Sequence, residues 1–105
     1  MTDKRIVLTT AGSREEADKI AMELVERRHA ACVNVLGPMA STYRWQGKVE
    51  RAEEFLLVIK TTSAAVEWVR AAIHELHSYG LPEFVVLPIE AGSEAYLNWI
   101  AKCVS

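Results

Sequence analysis

The 105-residue chain is half hydrophobic and a quarter charged, with 12 Lys and Arg against 14 Asp and Glu for a net charge of −2. That size and balance predict one domain over 1–105 and argue against disorder. The lack of a basic excess disfavours nucleic acid as a partner, and no apolar run approaches the roughly 20 residues that span a bilayer.

Met1–Arg5 leads into the chain without a signal-peptide pattern, so a cytoplasmic location is expected. Arg5–Thr10 is short and β-branched and reads as a first strand. Ser13-Arg14-Glu15-Glu16 is a capping-box pattern: the serine hydroxyl can accept an orphan amide and Glu16 can reach back. Apolar residues then recur at Ala17, Ile20, Ala21, Leu24 and Val25, which is helical spacing. Ala31–Leu36 reads as a second strand, interrupted at Gly37-Pro38 by a bend or bulge and resuming at Ser41–Trp45. Gln46-Gly47-Lys48 is a turn, and Val49 begins a return into the third strand, Glu54–Thr61. Ser63 is placed to cap a second helix with Val66, Val69, Ile73 and Leu76 on one face, ending by Gly80 and Pro82. Glu83–Pro88 is a fourth strand. Gly92-Ser93 opens a last helix with Tyr96, Leu97, Ile100 and Val104 as buried positions.

The order β-α-β-β-α-β plus a terminal helix predicts an α+β, ferredoxin-like domain with an antiparallel sheet and a long hairpin. A small doubly wound parallel sheet is the alternative, weakened by the tight turn at Gln46-Gly47-Lys48. Ile6–Leu8, Phe55–Ile59 and Phe84–Leu87 are continuous apolar runs, the mark of a sheet covered on both faces. Two helices cover one face only. The open face exceeds the apolar patch a monomer normally shows, so an obligate homo-oligomer is expected. The other solution is that the terminal helix and the hairpin fold back over that face themselves.

The chain holds no Walker or G-x-G-x-x-G loop and no G-x-S-x-G elbow. His74-Glu75-Leu76-His77 is one residue short of H-E-x-x-H, yet His74 and His77 stand three apart and are the candidate metal ligands. Against that stands a plain role at the end of a helix, where positive charge is favoured. Tyr43-Arg44-Trp45 pairs aromatics with a base, but the third strand lacks the aromatic pattern of an RNA-recognition module. Lys60, Tyr79 and Glu83 are polar residues at strand ends that form either a salt-bridge network or a ligand cleft. Cys32 and Cys103 form no C-x-x-C; they are read as free thiols, with Cys32 packed as a small hydrophobe.

Ala30-Ala31-Cys32-Val33-Asn34, Tyr43-x-Trp45-x-Gly47-Lys48, Lys60-Thr61, His77-x-Tyr79-x-x-Pro82-Glu83 and Leu87-Pro88-Ile89 resemble the divalent-cation tolerance family, CutA, from about Val7 to Trp99. The resemblance implies a ferredoxin-like fold and a homotrimer similar to that of the PII signalling proteins. It implies a role in tolerance of divalent metal ions, self and divalent metal ions as partners, and no enzymatic activity. It fixes no firm cofactor; Cu(II) or another divalent cation is the candidate. Some members are associated with copper through a first-strand cysteine and two histidines after the second helix. This chain has Thr9 at the cysteine position, Leu76 at the first histidine and Ser78 at the proline that usually follows the second. Trp45, Lys60, Tyr79 and Glu83 resemble the family's polar cluster near subunit contacts, an inter-subunit cleft. Two further readings stay open: a PII-like regulator binding a small anion or metabolite with Lys60 and Tyr79, and an enzyme with Glu83 and His77 as an acid–base pair.

Overall fold

The β-branched run near the start of the chain forms β1, Lys4–Ala11, in the computed structural model, which describes residues 2–105. Ser13 caps α1, Arg14–Glu26; its backbone is extended and its Oγ accepts the Glu16 N–H at 3.1 Å. The reciprocal half of the capping box is not made. Glu16 Oε2 instead accepts the Ser78 N–H at 3.0 Å, which joins α1 to the segment after the second helix. Ala17, Ile20 and Leu24 are buried, whereas Val25 stays on the exposed side.

β2, Cys32–Trp45, and β3, Lys48–Thr62, make one long antiparallel hairpin. Its register shifts between Leu36 and Met39, a bulge at the Gly37-Pro38 step. Gln46 and Gly47 both have positive φ, 50° and 81°, the two-residue turn whose twist suits a hairpin. The 14 residues of β2 reach roughly 46 Å at about 3.3 Å each, which accounts for a molecule 44 Å long and only 25 by 22 Å across.

The expected Ser63 cap is not formed. Ser63–Ala65 is a single 3-10 turn, and α2, Val66–Leu76, begins without a side-chain cap. It stops ahead of Gly80 because His77 already has extended backbone. β4 is four residues, Val85–Pro88, and α3 spans Glu94–Cys103 with Ser93 Oγ accepting the Tyr96 N–H at 3.1 Å.

The sheet runs β2-β3-β1-β4 and each recorded strand pair is antiparallel, so the domain is ferredoxin-like and the doubly wound alternative falls. On one face Val7, Leu57 and Ile59 pack with Ile20 and Leu24 of α1 and with Val69 and Ile73 of α2, all fully buried. The alternate residues Ile6, Leu8, Leu56 and Val58 point the other way and are only half-buried. α3 lies against β1 and β3, and its one fully buried residue, Ile100, is outside the α1–α2 core; the helix therefore covers part of that second face. Leu36, Val85 and Leu87 remain 50, 42 and 43 % exposed, and Tyr96 and Trp99 stack on each other in the open at 5.5 Å. The chain exposes 6306 Å², against about 5,900 Å² for a compact monomer of this mass. Among the described residues no helix is long and apolar enough to cross a membrane.

Candidate functional site

The hairpin outruns the rest of the sheet, and its protruding half carries a patterned face. Met39, Ser41, Tyr43 and Trp45 alternate along β2 and stand opposite Glu54, Ala52, Glu50 and Lys48 of β3. That is the face shared with Leu56, Val58 and Lys60, away from α1 and α2.

The chain leaving α2 crosses the end of β1 and closes the other side. Tyr79 lies over Gly12 so tightly that a Cβ at Gly12 would stand 2.8 Å from the Tyr79 Oη. The Tyr79 hydroxyl donates to Glu54 Oε2 at 3.0 Å. Burial first, and then this bond to a carboxylate, push the Tyr79 phenol up to about 12, so it is a neutral donor. Between the hairpin and residues 79–83 runs a groove of about 950 Å³, lined by Tyr43, Trp45, Glu54, Tyr79, Pro82 and Glu83 among others.

His77 stands behind the groove as a strut. Its side chain is fully buried. The Tyr79 N–H donates to Nδ1 at 3.1 Å, which leaves the ring proton on Nε2, donated to the Thr10 carbonyl at 2.5 Å. Glu16 Oε1 is 3.8 Å from the same Nδ1, and the rings of His77 and Tyr79 are 4.6 Å apart. Both ring nitrogens therefore hold backbone. The carboxylate beside His77 is Glu16, while Glu83 lines the groove.

His74 and His77 do not converge. His74 is exposed on α2 with Nδ1 3.0 Å from the Arg70 carbonyl, while His77 turns inward to β1. Among the described residues no group of three or more His, Cys, Asp or Glu is arranged to hold a metal ion. The physical reason is the break at His77, which takes its side chain off the helical face it would need to share with His74.

Of the four cleft residues, the structure gathers three. Trp45, Tyr79 and Glu83 line the groove. Lys60 is six residues along β3 from Glu54, about 20 Å at strand spacing. Its Nζ donates to Asn34 Oδ1 at 2.7 Å, with Cys32 as its cross-strand neighbour. Cys32 is thus half-buried on the second face rather than packed in the core, and both thiols are free. Within one chain Lys60 and Tyr79 are therefore not brought together. Sequence reasoning missed Glu54, Glu16 and Gly12. The period-2 step from Leu56 to Glu54 carries a signal for the first. The other two depend on where the α2–β4 connection crosses, which no local pattern encodes.

The family model described as CutA1 divalent ion tolerance protein matches residues 5–103. The divalent-cation tolerance protein CutA of Thermus thermophilus is 45 % identical over 99 residues, covering 94 % of this chain and 96 % of that protein. The crystal structure of CutA from Xylella fastidiosa superposes with a TM-score of 0.96 at 36 % identity, covering 99 % of this chain and 100 % of that one. The structure of the periplasmic divalent cation tolerance protein CutA from Archaeoglobus fulgidus superposes with a TM-score of 0.94 at 40 % identity, covering 97 % of this chain and 99 % of that one.

Proposed function

The chain belongs to the CutA1 divalent ion tolerance family, and from that membership we propose a cytoplasmic homotrimer that acts in tolerance of divalent metal ions and catalyses no reaction. The observation that carries the functional reading is the family match across residues 5–103. Self-association is supported by the half-covered second face of the sheet. Leu36, Val85, Leu87 and the Tyr96–Trp99 pair stay open there, and β4 offers a free edge. Three copies is the number the family resemblance implies. In that assembly Trp45, Tyr79 and Glu83 form the cleft side of the protruding hairpin, within reach of a neighbouring copy.

Direct contact with Cu(II) or another divalent cation is weak in this reading. It falls on His74, which is exposed, whereas His77 serves the fold through Thr10 and Tyr79. Tolerance is tested by growth. A strain lacking its own family member receives this gene and is challenged with Cu(II) and Zn(II); raised tolerance is expected, and unchanged tolerance with soluble protein present overturns the reading. Sedimentation is expected to give about 35 kDa, three chains of 11.7 kDa, and a single-chain mass removes the trimer. Cell fractionation tests the compartment, since the A. fulgidus relative is described as periplasmic.

A further inference from the structure

The second face of the sheet changes character along its length. Lys60, Val58, Leu56 and Glu54 follow one another on it at alternate positions of β3. The side chains beside them on β1 and β4, Ile6, Leu8, Leu87 and Val85, are apolar. One end is therefore cationic, the middle apolar and the other end acidic, where Glu83 joins Glu54 along the groove. Lys4, at the cationic end, is paired with Asp3, whereas Lys60 Nζ bonds the neutral Asn34 Oδ1 at 2.7 Å. Among the described residues neither Lys60, Glu54 nor Glu83 has an ion-pair partner. Lys60 and Glu54 lie about 20 Å apart on one strand, too far to meet within a chain.

We propose that a second copy docks head to tail on this face, with the Lys60 ammonium of one chain set between Glu54 and Glu83 of the next. The proposal rests on the homotrimer reading and adds which residue each copy supplies to the cleft. The apolar middle drives association, and the charged ends set its direction. A copy laid the other way round would put ammonium against ammonium and carboxylate against carboxylate, which is penalised. Each chain offers one cationic and one acidic end, so the same contact repeats from chain to chain and can close into a ring. Both ends are oriented in advance. Asn34 takes one of the three N–H groups of Lys60 and leaves two, and the Tyr79 hydroxyl takes Glu54 Oε2 and leaves Oε1. The groove lacks a cation in the single chain, and the neighbour supplies it.

The test uses the whole protein in its native assembly. Sedimentation comes first: a single-chain mass overturns the trimer and this pairing together, whereas a trimer mass lets the pairing be judged by itself. A water-soluble carbodiimide then joins ammonium to carboxylate as an amide wherever the two touch. We expect covalent dimers and trimers on a denaturing gel, with mass spectrometry finding Lys60 joined to Glu54 or Glu83, and Lys60→Gln losing those products. A trimer in which Lys60 joins neither carboxylate, or joins one only in the single-chain band, overturns the pairing and leaves the trimer standing. Charge reversal reads the energy. Lys60→Glu is expected to weaken assembly about tenfold or more, and Glu83→Lys added to it to recover most of the loss. Circular dichroism confirms that each variant keeps its fold. A folded Lys60→Glu that assembles like the wild type overturns the pairing, and so does a double variant no better than Lys60→Glu alone.

Discussion

The Tyr79 hydroxyl donates to Glu54 Oε2 across 3.0 Å, and this bond joins the α2–β4 connection to the base of the hairpin. Burial, reinforced by the neighbouring carboxylate, raises the Tyr79 phenol from 10.0 to about 12. A raised folded-state value means that the neutral form is the one the fold favours. The stability it contributes is complete below pH 10, the unfolded value, and is lost as pH climbs through about 12. We expect Tyr79→Phe to cost about 0.5–1.5 kcal/mol near neutral pH, toward the lower end because the ring is partly solvated. The gap between wild type and variant should close between pH 10 and 12. Thermal melts of both proteins across that window check it; a gap independent of pH would show that the hydroxyl does not hold the bond in solution.

Gly12 is the position that lets Tyr79 reach Glu54. A Cβ there would lie 2.8 Å from the Tyr79 Oη, the far end of a side chain that can swing away. We therefore expect Gly12→Ala to fold and to lose the hydroxyl bond, at a cost of about 1 kcal/mol. Phenolate absorbance followed against pH is the direct reading. The late-titrating tyrosine of the wild type should move back toward 10 in Gly12→Ala and vanish in Tyr79→Phe.

What the sequence reveals of this fold is what local chemistry can encode. Ser13 and Ser93 cap their helices as their positions predict, and Gln46-Gly47 makes the turn that its residues favour. The Gly37-Pro38 step is a bulge within a continuous strand. The errors sit where a distant partner outbids a local one. Glu16 matches the capping box, yet Ser78 N–H, 62 residues away, takes its carboxylate. Ser63 matches a cap, yet its N–H is held by the Asp3 carbonyl at 2.7 Å and the chain enters a 3-10 turn. Lys60 and Tyr79 both look like cleft residues, and only the strand register separates them. Trp45, Tyr79 and Glu83 come together because the hairpin and the α2–β4 connection border the same groove.

Gly37 tests how far the bulge shapes the groove. Its φ of 142° lies in the region that favours glycine, and a Cβ would stand 2.8 Å from Phe55 Cδ2 and 3.0 Å from the Glu54 carbonyl. The second contact is backbone and cannot swing aside. Gly37→Ala should then cost about 1–3 kcal/mol from strain alone. It should also disturb Glu54, whose backbone it presses. Denaturant unfolding measures the first effect; a loss below about 0.5 kcal/mol would mean that the bulge rearranges freely.

His77 separates structure from metal chemistry. Its side chain is fully buried, with the ring bonded to Thr10 carbonyl and Tyr79 N–H. Removing it takes a fully buried ring out of its packing and leaves the part-buried Thr10 carbonyl without its partner, so His77→Ala should cost on the order of 2–4 kcal/mol. The exposed His74 has no such duty, and His74→Ala should cost less than about 0.5 kcal/mol. Copper titration should show the reverse order: weak Cu(II) binding reduced in His74→Ala and retained in a folded His77→Gln. Retained binding in His74→Ala, with loss in His77→Gln, would place the ion on the buried ring instead.

Leu87 offers the sharpest probe of assembly. It sits on the free strand β4, opposite Ile6 on the face that α3 only partly covers, and is 43 % exposed in the single chain. Burying the part still exposed against a neighbour contributes about 1 kcal/mol per site, and an aspartate there would also have to lose its hydration. Inside one chain the same substitution touches nothing in the α1–α2 core. Leu87→Asp should therefore shift sedimentation toward the 11.7 kDa chain while leaving the helical circular dichroism intact. A second change on the covered side of that face, Ile100→Asp, separates the two effects, because Ile100 is fully buried within the chain and its loss should unfold the domain itself. If Leu87→Asp keeps the wild-type mass, the second face is closed by something other than another copy meeting it at β4.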